Sequence, residues 1–385
     1  WLWGIQIQRP YRIQSSMYNS TSNLRIIIMA YISFKPKDYF NTLNYTGTGA
    51  TGNGVTGAGF TPDMVWLKKI TGADGHNLFD TVRGATKYLT PNDNSQQVTG
   101  TNTLESFDSD GFTVGLAGTV GQSGYTYAGW CWKAGTTSGI SGGTITPSAY
   151  SINTTSGVGI YKYTGTGSNG TIAHGLSTAP KMVIVKRLTV DTGDWNSWHK
   201  DLGGGTYYIN LNTSSAKASN AAVWNSTEPS STLISIGTYG ATNTSGSDYI
   251  MYAFSEVKGF SSMGVYTGNG NVDGSFIYTG FEPELIICKN RDSGGVATYG
   301  WSMIGNTFGM GGATTANPSY NELTLNAFAD TGVQPTTGNA VDFLSNGFKW
   351  RSTGNAGNQS TAPFIYIAFA RQPIVSSNSK AGTAR

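Results

Sequence analysis

Charge is what this chain has least of. Asp, Glu, Lys and Arg make up 12% of its 385 residues, about half the share usual in soluble domains. The net charge of +3 is too small and too dispersed for a nucleic-acid footprint. Only two cysteines occur, too few for a disulfide scaffold, and neither has metal-ligand spacing. Cys131 and Cys288 each sit inside an apolar segment, so both are expected to be buried free thiols. No run of about 18 apolar residues marks a membrane span. The first thirty residues lack the basic flank, apolar stretch and small-residue site of a secretory signal. No stretch carries a capped 3.6-residue apolar period, so helices are not expected.

Glycine, threonine, serine and asparagine fill the space, and 53 glycines suit turns and strands better than helices. Within this background one ruler can be laid down three times. Tyr45, Tyr163 and Tyr266 each open a Tyr-Thr-Gly-x-Gly turn, Pro62, Pro180 and Pro283 follow, and apolar runs then end in Lys68, Lys186 and Lys289. The second halves repeat as well. Gly111–Gly115, Leu233–Gly237 and Gly347–Arg351 precede the aromatic segments Trp130–Trp132, Tyr252–Phe254 and Ile367–Phe369. An internal repeat of this length means three similar units, each large enough to hold its own core.

Each Pro-to-Lys run is short, apolar and rich in β-branched or aromatic residues, which predicts a strand buried on both faces. Its proline belongs at the first strand position, where the missing N–H breaks no ladder bond. The aromatic segments alternate bulky with small residues, as sandwich strands do. Asn53-Gly54, Asn169-Gly170, Asp273-Gly274 and Asn346-Gly347 are turn signals. The expected fold is all-β: three tandem antiparallel β-sandwich domains of jelly-roll type plus an extended N-terminal arm. The boundaries expected are an arm at 1–40, units at 41–135, 156–259 and 260–375, a Gly/Ser/Thr linker at 136–155 and a polar tail at 376–385. The first linker is expected to let unit one swing. The second is nearly absent, which should dock units two and three rigidly.

The arm is the most continuous apolar stretch, with Leu24, Ile26, Ile28, Ala30, Ile32 and Phe34 at alternating positions. It is expected either to cover an edge of its own first unit or to add a strand to a neighbouring molecule's sheet. Head-to-tail strand donation of that kind generates a filament.

Most motifs that invite chemistry read as turns. The Gly-x-Gly-x-x-Gly patterns at 47–52 and 165–170 are followed by strands, so no dinucleotide cofactor is expected. Asp108-Ser-Asp110-Gly111 lacks the remaining ligands of a calcium loop, so no metal is expected there. His76, His174 and His199 have no nucleophile or paired carboxylate at a recognisable spacing. Asp194, Trp195, Asn196 and Trp198 combine rings for stacking with groups that bind hydroxyls, and form a candidate glycan contact. Positional counterparts at 76–79 and 299–303 also make this segment a candidate core strand. Sequons stand at Asn19, Asn44, Asn153, Asn169, Asn212, Asn225, Asn243 and Asn358, each a candidate glycosylation site.

The phrases from Met29 to Thr42, Pro62–Lys68, Asp80–Gly84, Ser106–Gly115, Trp130–Gly135, Pro180–Lys186 and Asp342–Phe348 together resemble a family of uncharacterised phage tail-fibre or appendage-like proteins. The resemblance runs from Met29 to the C-terminus and implies a fibre-like structural or adhesive role with no catalytic residues. Residues 1–28 precede it, and are expected to come from a longer precursor or from nucleotide sequence read upstream of the start. Three functions are therefore carried forward: a non-enzymatic structural subunit of an extracellular filament or virion appendage assembling through its arm, a carbohydrate-binding adhesin or receptor-binding fibre, and a polysaccharide-active enzyme. The expected partners are other copies of the chain and cell-surface glycans, without nucleic acid or membrane, at an extracellular or virion-surface location.

Overall fold

The computed structural model describes residues 35–70, 74–190, 193–294, 300–306 and 341–371, together with the backbone at 322–325. The arm positions Leu24 to Phe34, the sequon at Asn19 and the polar tail lie outside the described residues.

In the first unit, β1 (Phe40–Thr46), β2 (Asn53–Thr56), β3 (Met64–Lys69), β4 (Asn77–Asp80), β5 (Lys87–Leu89), β6 (Val98–Thr99), β7 (Leu104–Asp108), β8 (Gly111–Val114) and β9 (Thr126–Trp132) form two sheets. The wide one has the order β1-β9-β3-β4-β5-β6 and the narrow one β2-β8-β7. The second unit comprises β10 (Ala149–Asn153), β11 (Val158–Thr164), β12 (Gly170–Ala173), β13 (Pro180–Arg187), β14 (Asn196–His199), β15 (Tyr207–Asn210), β16 (Ala218–Ser219), β17 (Leu233–Ile236) and β18 (Asp248–Ser255), with one-turn helices α1 (Ala221–Trp224) and α2 (Gly240–Asn243). Its sheets are β10-β11-β18-β13-β14-β15-β16 and β12-β17. The third unit has β19 (Ser261–Thr267), β20 (Phe276–Tyr278), β21 (Pro283–Asn290), β22 (Trp301–Gly305), β23 (Glu322–Leu325), β24 (Val341–Leu344), β25 (Gly347–Trp350) and β26 (Pro363–Ala370), ordered β19-β26-β21-β22-β23 and β20-β25-β24. The strand pairings among the described residues are antiparallel, as in β3 with β9, β13 with β18 and β21 with β26.

The Tyr-Thr-Gly-x-Gly motif has a steric cause. A Cβ on its first glycine would stand 2.3 Å from Gln122 O at Gly47, 2.4 Å from Thr244 O at Gly165 and 2.2 Å from Gln359 O at Gly268. The second glycine adopts φ of 72°, 72° and 64° at Gly49, Gly167 and Gly270, the left-handed region where a side chain is disfavoured. The motif's tyrosine closes the same turn by donating to Val120 O, Thr242 O or Gly357 O. Each ring stacks on its cross-strand neighbour, Tyr127, Tyr249 or Phe364, at 5.2, 5.2 and 5.3 Å.

Both faces of each wide sheet are buried, as the apolar runs predict. One face packs on the unit's own narrow sheet, through Val65, Leu67 and Cys131 in the first unit, Val183, Met251 and Ala253 in the second, and Ile286, Cys288 and Ala368 in the third. The opposite faces do not meet solvent. Met64, Trp66, Trp130, Trp132, Met182, Ile184, Tyr252, Phe254, Leu285, Ile287, Ile367 and Phe369 belong to one shared core. The registers make Trp132, Phe254 and Phe369 equivalent, and Phe369 meets the other two edge to face at 5.5 and 5.9 Å.

The three expected units are present, but they share one core, which corrects the expectation that the first unit swings. Each unit has a private core, but its wide sheet also carries a second apolar face that only the sister units cover. Burying a large side chain contributes about 1.5–3 kcal/mol, so separating the units would expose many such contributions at once. The sheets are accordingly unequal in width, unlike the two matched sheets of an eight-stranded jelly roll. The linker is not a free tether either: β10 lies inside it, Thr136 bridges Ile152 and Gly143 bridges Ile172.

The lysines that end the Pro-to-Lys strands are buried rather than solvated. Lys186 Nζ donates to Asn94 O of the first unit at 3.1 Å, and Lys289 Nζ to Thr213 O of the second at 2.7 Å. Lys68 Nζ reaches Asp74 O within its own unit.

The outer edges of β1, β11 and β19 are closed in three ways. Strand β10 pairs along β11. On β1 the outward Thr42 N–H is accepted by Asn41 Oδ1 at 3.0 Å, and on β19 the Met263 N–H by Glu256 Oε1 at 3.3 Å. Beyond these, the end of β19 at Val265 and Thr267 is exposed, and no strand among the described residues pairs along its outer edge.

Candidate functional site

The predicted glycan segment is a core strand. Trp195 is fully buried in the shared core and Trp198 nearly so in the second unit's private core, while Asn196 is 1% exposed. The Trp195 indole N–H donates across the seam to Thr90 O at 3.2 Å and Asp93 O at 3.0 Å. Trp301, the positional counterpart in unit three, donates to Asn210 O of unit two at 2.9 Å. Asp194 accepts from the amides of Asn210 and Asn212 at 3.0 and 2.8 Å, and Asn196 Nδ2 donates to Asp194 O. The glycan contact expected at these four residues is thus corrected: the ring faces a sugar would need are covered, that of Trp195 in the shared core and that of Trp198 in its own unit's core. The shared-strand reading holds, because β4, β14 and β22 all pair with their Pro-to-Lys strand in one register.

The other chemistry-bearing side chains are also occupied structurally. His76 accepts from Trp66 Nε1 at 3.0 Å, His174 Nδ1 accepts from Leu176 N and His199 Nε2 lies 3.1 Å from Tyr366 O. Burial lowers the pKa of each, that of His199 to about 4. Cys131 and Cys288 are free and buried, and burial pushes the Cys131 thiol well up. Asp108 accepts from Ser106 and Thr113, whereas Asp110 accepts from Gly57 and Gly59 N–H, which makes the Asp-x-Asp-Gly segment a hairpin turn.

Three of the sequons are corrected in the same way. Asn243 is fully buried and donates to Ser168 O and Gly237 O. Its counterpart Asn358 donates to Asn271 O and Ser352 O, and Asn212 is held by Asp194. Asn44, Asn169 and Asn225 are exposed, and Asn153 is half-buried while capping Thr155 and Ser156.

Among the described residues, the exposed aromatic rings lie on the narrow sheet of unit three. Strand β20 is that sheet's edge. Ile277 points into the private core, so Phe276 and Tyr278 point outward, 47% and 67% exposed, and Val272 in the preceding turn is 61% exposed. Phe276 stands opposite Lys349 of β25 and Tyr278 opposite Gly347. Gly347 leaves room for the ring, since a Cβ there would come within 2.8 Å of Phe276. Beside the rings Asp273 binds Lys349 Nζ and Arg351 Nη1, both at 2.7 Å, and Arg351 Nε binds Asp342 at 2.6 Å. The Lys349 hydrogen bond and charge hold the Asp273 carboxyl below its usual range.

The sister units show that the fold does not require these rings. The register places Gly54 and Thr56 at the same positions in unit one, and Thr171 and Ala173 in unit two. In unit two the linker also covers this strand, through Thr144 N to Thr171 O at 2.9 Å. Two exposed rings with a fixed set of charges beside them combine a stacking surface with groups that bind hydroxyls. Sequence reasoning passed over Phe276 and Tyr278, although the repeat carries the signal: aligned outward positions hold small or polar residues in two units and aromatics in the third.

No curated protein and no solved structure matches the chain. Residues 35–373 match the family model described as Domain of unknown function (DUF7483), and the chain belongs to that family.

Proposed function

We propose that this protein is a non-enzymatic attachment subunit of an extracellular fibre or virion appendage, and that the outer face of its third unit contacts cell-surface glycans. The observation that carries the reading is the pair Phe276 and Tyr278, exposed where the sister units hold Gly54 and Thr56 or Thr171 and Ala173. Exposed rings cost solubility and add nothing to this fold, which makes contact with a partner their best explanation. Sugars present C–H faces that stack on such rings, and Lys349, Arg351, Asp273 and Asp342 offer donors and acceptors for hydroxyls. The histidines, buried and each hydrogen-bonded within the fold, support a structural block as the carrier. A glycan array with Phe276→Ala and Tyr278→Ala tests this. Both variants should lose array signal at an unchanged melting temperature, and binding equal to the parent would remove this face from the site.

A second reading, a filament subunit assembling through its arm, is favoured by the strand edges. Unit two's preceding segment β10 pairs along β11, whereas the end of β19 carries no partner strand on its outer edge among the described residues. The arm at 24–34 occupies the corresponding place in the chain before β1. Deleting residues 1–40, or placing proline at Val265, whose N–H faces away from β26, should abolish filaments seen by electron microscopy. Filaments unchanged in both variants would reject strand addition.

A further inference from the structure

A second polar feature lies at the seam of units one and two, away from the aromatic face. A cavity of about 120 Å³ opens there between the turn after β4, the start of β6 and the ends of β11, β13 and β18, lined among others by Arg83, Lys87, Gln97, Lys162, Thr189 and Asp248. That is several times the ~10–15 Å³ one water needs.

The wall of this cavity holds unmet hydrogen-bonding groups. Arg83, whose side chain is 1% exposed, is fixed by Nε to Asp80 Oδ2 at 2.5 Å and by Nη2 to Leu78 O at 2.8 Å and Tyr252 Oη at 3.3 Å. Its Nη1 is buried and has no partner among the described residues, and neither has Gln97 Oε1. Gln97 is pinned by its own N–H to Leu188 O across the seam at 3.1 Å. Lys162 is paired with Asp248 at 2.9 Å. Three cations, Arg83, Lys87 and Lys162, face two carboxylates, Asp80 and Asp248, which leaves one positive charge uncompensated. A buried guanidinium N–H without an acceptor is costly, and its geometry is already set by the other two nitrogens.

We propose that this cavity binds a small oxyanion, a phosphate, sulfate or carboxylate group, with Arg83 Nη1 as the fixed donor and Lys87 as the neutralising charge. Charge-assisted hydrogen bonds to an oxyanion are the strong ones, and the anion would neutralise the excess charge. Of the three, only hydrogen phosphate keeps a protonated oxygen near neutral pH, which can donate to Gln97 Oε1. The site holds the first and second units together from outside the shared core, so its occupancy is also expected to raise the melting temperature.

The test is calorimetric titration of the full chain at low ionic strength with inorganic phosphate, sulfate and acetate in separate arms, alongside Lys87→Glu and Gln97→Glu. Saturable binding of one or more of the three is expected. Preference for phosphate or sulfate identifies a tetrahedral ligand, and equal or better binding of acetate a carboxylate. Lys87→Glu, a surface change, should weaken binding about tenfold or more while the ligand-free melting temperature stays the same. Gln97→Glu supplies Arg83 with an internal carboxylate and should abolish binding while raising the ligand-free melting temperature. Absence of saturation with all three anions, or parental affinity in both variants, would overturn the proposal.

Discussion

Tyr252 Oη donates a 2.7 Å hydrogen bond to Asp80 Oδ2, joining strand β18 of the second unit to the end of β4 in the first inside a fully buried seam. Arg83 completes the cluster through the same carboxylate oxygen. Burial works against the Arg83 charge, but Asp80 and Tyr252 outweigh it and hold the guanidinium charged. A carboxylate shared by an arginine of its own turn and a tyrosine of the next unit makes folding of one unit depend on docking of the other.

Removing Asp80 should therefore be far worse than removing the tyrosine hydroxyl. Asp80→Ala strands a buried guanidinium, which costs about 3–5 kcal/mol. Tyr252→Phe loses the hydrogen bond to Asp80, about 1.5–3 kcal/mol, and the long one from Arg83 Nη2, which keeps Leu78 O as its acceptor. Urea unfolding would check the order, and a single cooperative transition for the parent would confirm that the units melt together.

Stability should rise with pH from about 4 to 10. Burial lowers the three histidines, with His199 at about 4, so below pH 6.5 the unfolded chain takes up protons that the folded chain refuses. Burial likewise brings Lys289 from 10.5 down to about 7, and between those values the unfolded state again holds the extra proton. In both windows the unfolded state binds more protons, so stability climbs with pH. The Lys289 contribution is on the order of 5 kcal/mol across its window. Above about pH 10 the trend reverses, because burial raises Tyr163, Tyr252 and Tyr266 and only the unfolded chain releases those protons. Thermal melts should show Lys289→Met flattening the basic slope and His199→Gln the acidic one.

Trp195→Ala should act on stability and not on ligand binding. Emptying a fully buried indole site costs about 3–5 kcal/mol, and the acceptors Thr90 O and Asp93 O lose their donor. A variant that melts early yet keeps parental glycan-array signal is the expected result.

The repeat was legible because its cause is local. The glycines at 47, 165 and 268 are imposed by backbone atoms that approach where a Cβ would sit, so the motif survives in all three units. The strands were legible too, since alternation in Trp130–Trp132, Tyr252–Phe254 and Ile367–Phe369 reports burial on both faces. What alternation does not report is the identity of the covering surface. The same pattern serves a self-contained sandwich and one whose second face waits for its sisters, and Trp132, Phe254 and Phe369 turned out to meet each other. Trp195 misled for a related reason: an indole among amides and carboxylates looks alike whether it faces a sugar or a neighbour's carbonyls. Phe276 and Tyr278 needed a comparison among the units, position by position, which the strand register supplies.

Glycosylation, where the expression host provides it, should follow exposure. Asn44, Asn169 and Asn225 are accessible, whereas Asn212, Asn243 and Asn358 are buried and hydrogen-bonded. Mass spectrometry of peptides from a glycosylating host should find the first three occupied in folded protein and the last three empty. Occupancy at Asn243 or Asn358 would mean modification before folding.

The strongest control for the aromatic face is already written in the chain. Phe276→Thr with Tyr278→Ala installs the residues that unit two holds at 171 and 173, which the same backbone accepts. Both side chains are exposed, so stability should change by no more than about 0.5 kcal/mol each. If the rings stack on a sugar, each contributes about 0.5–1.5 kcal/mol, and the double variant should bind roughly five- to a hundredfold more weakly. Asp273→Asn, which leaves both rings in place but loosens Lys349 and Arg351, should change which sugars are preferred more than how tightly they bind. A double variant that binds like the parent would place the contact surface elsewhere, and one that fails to fold would show that the rings serve the sheet.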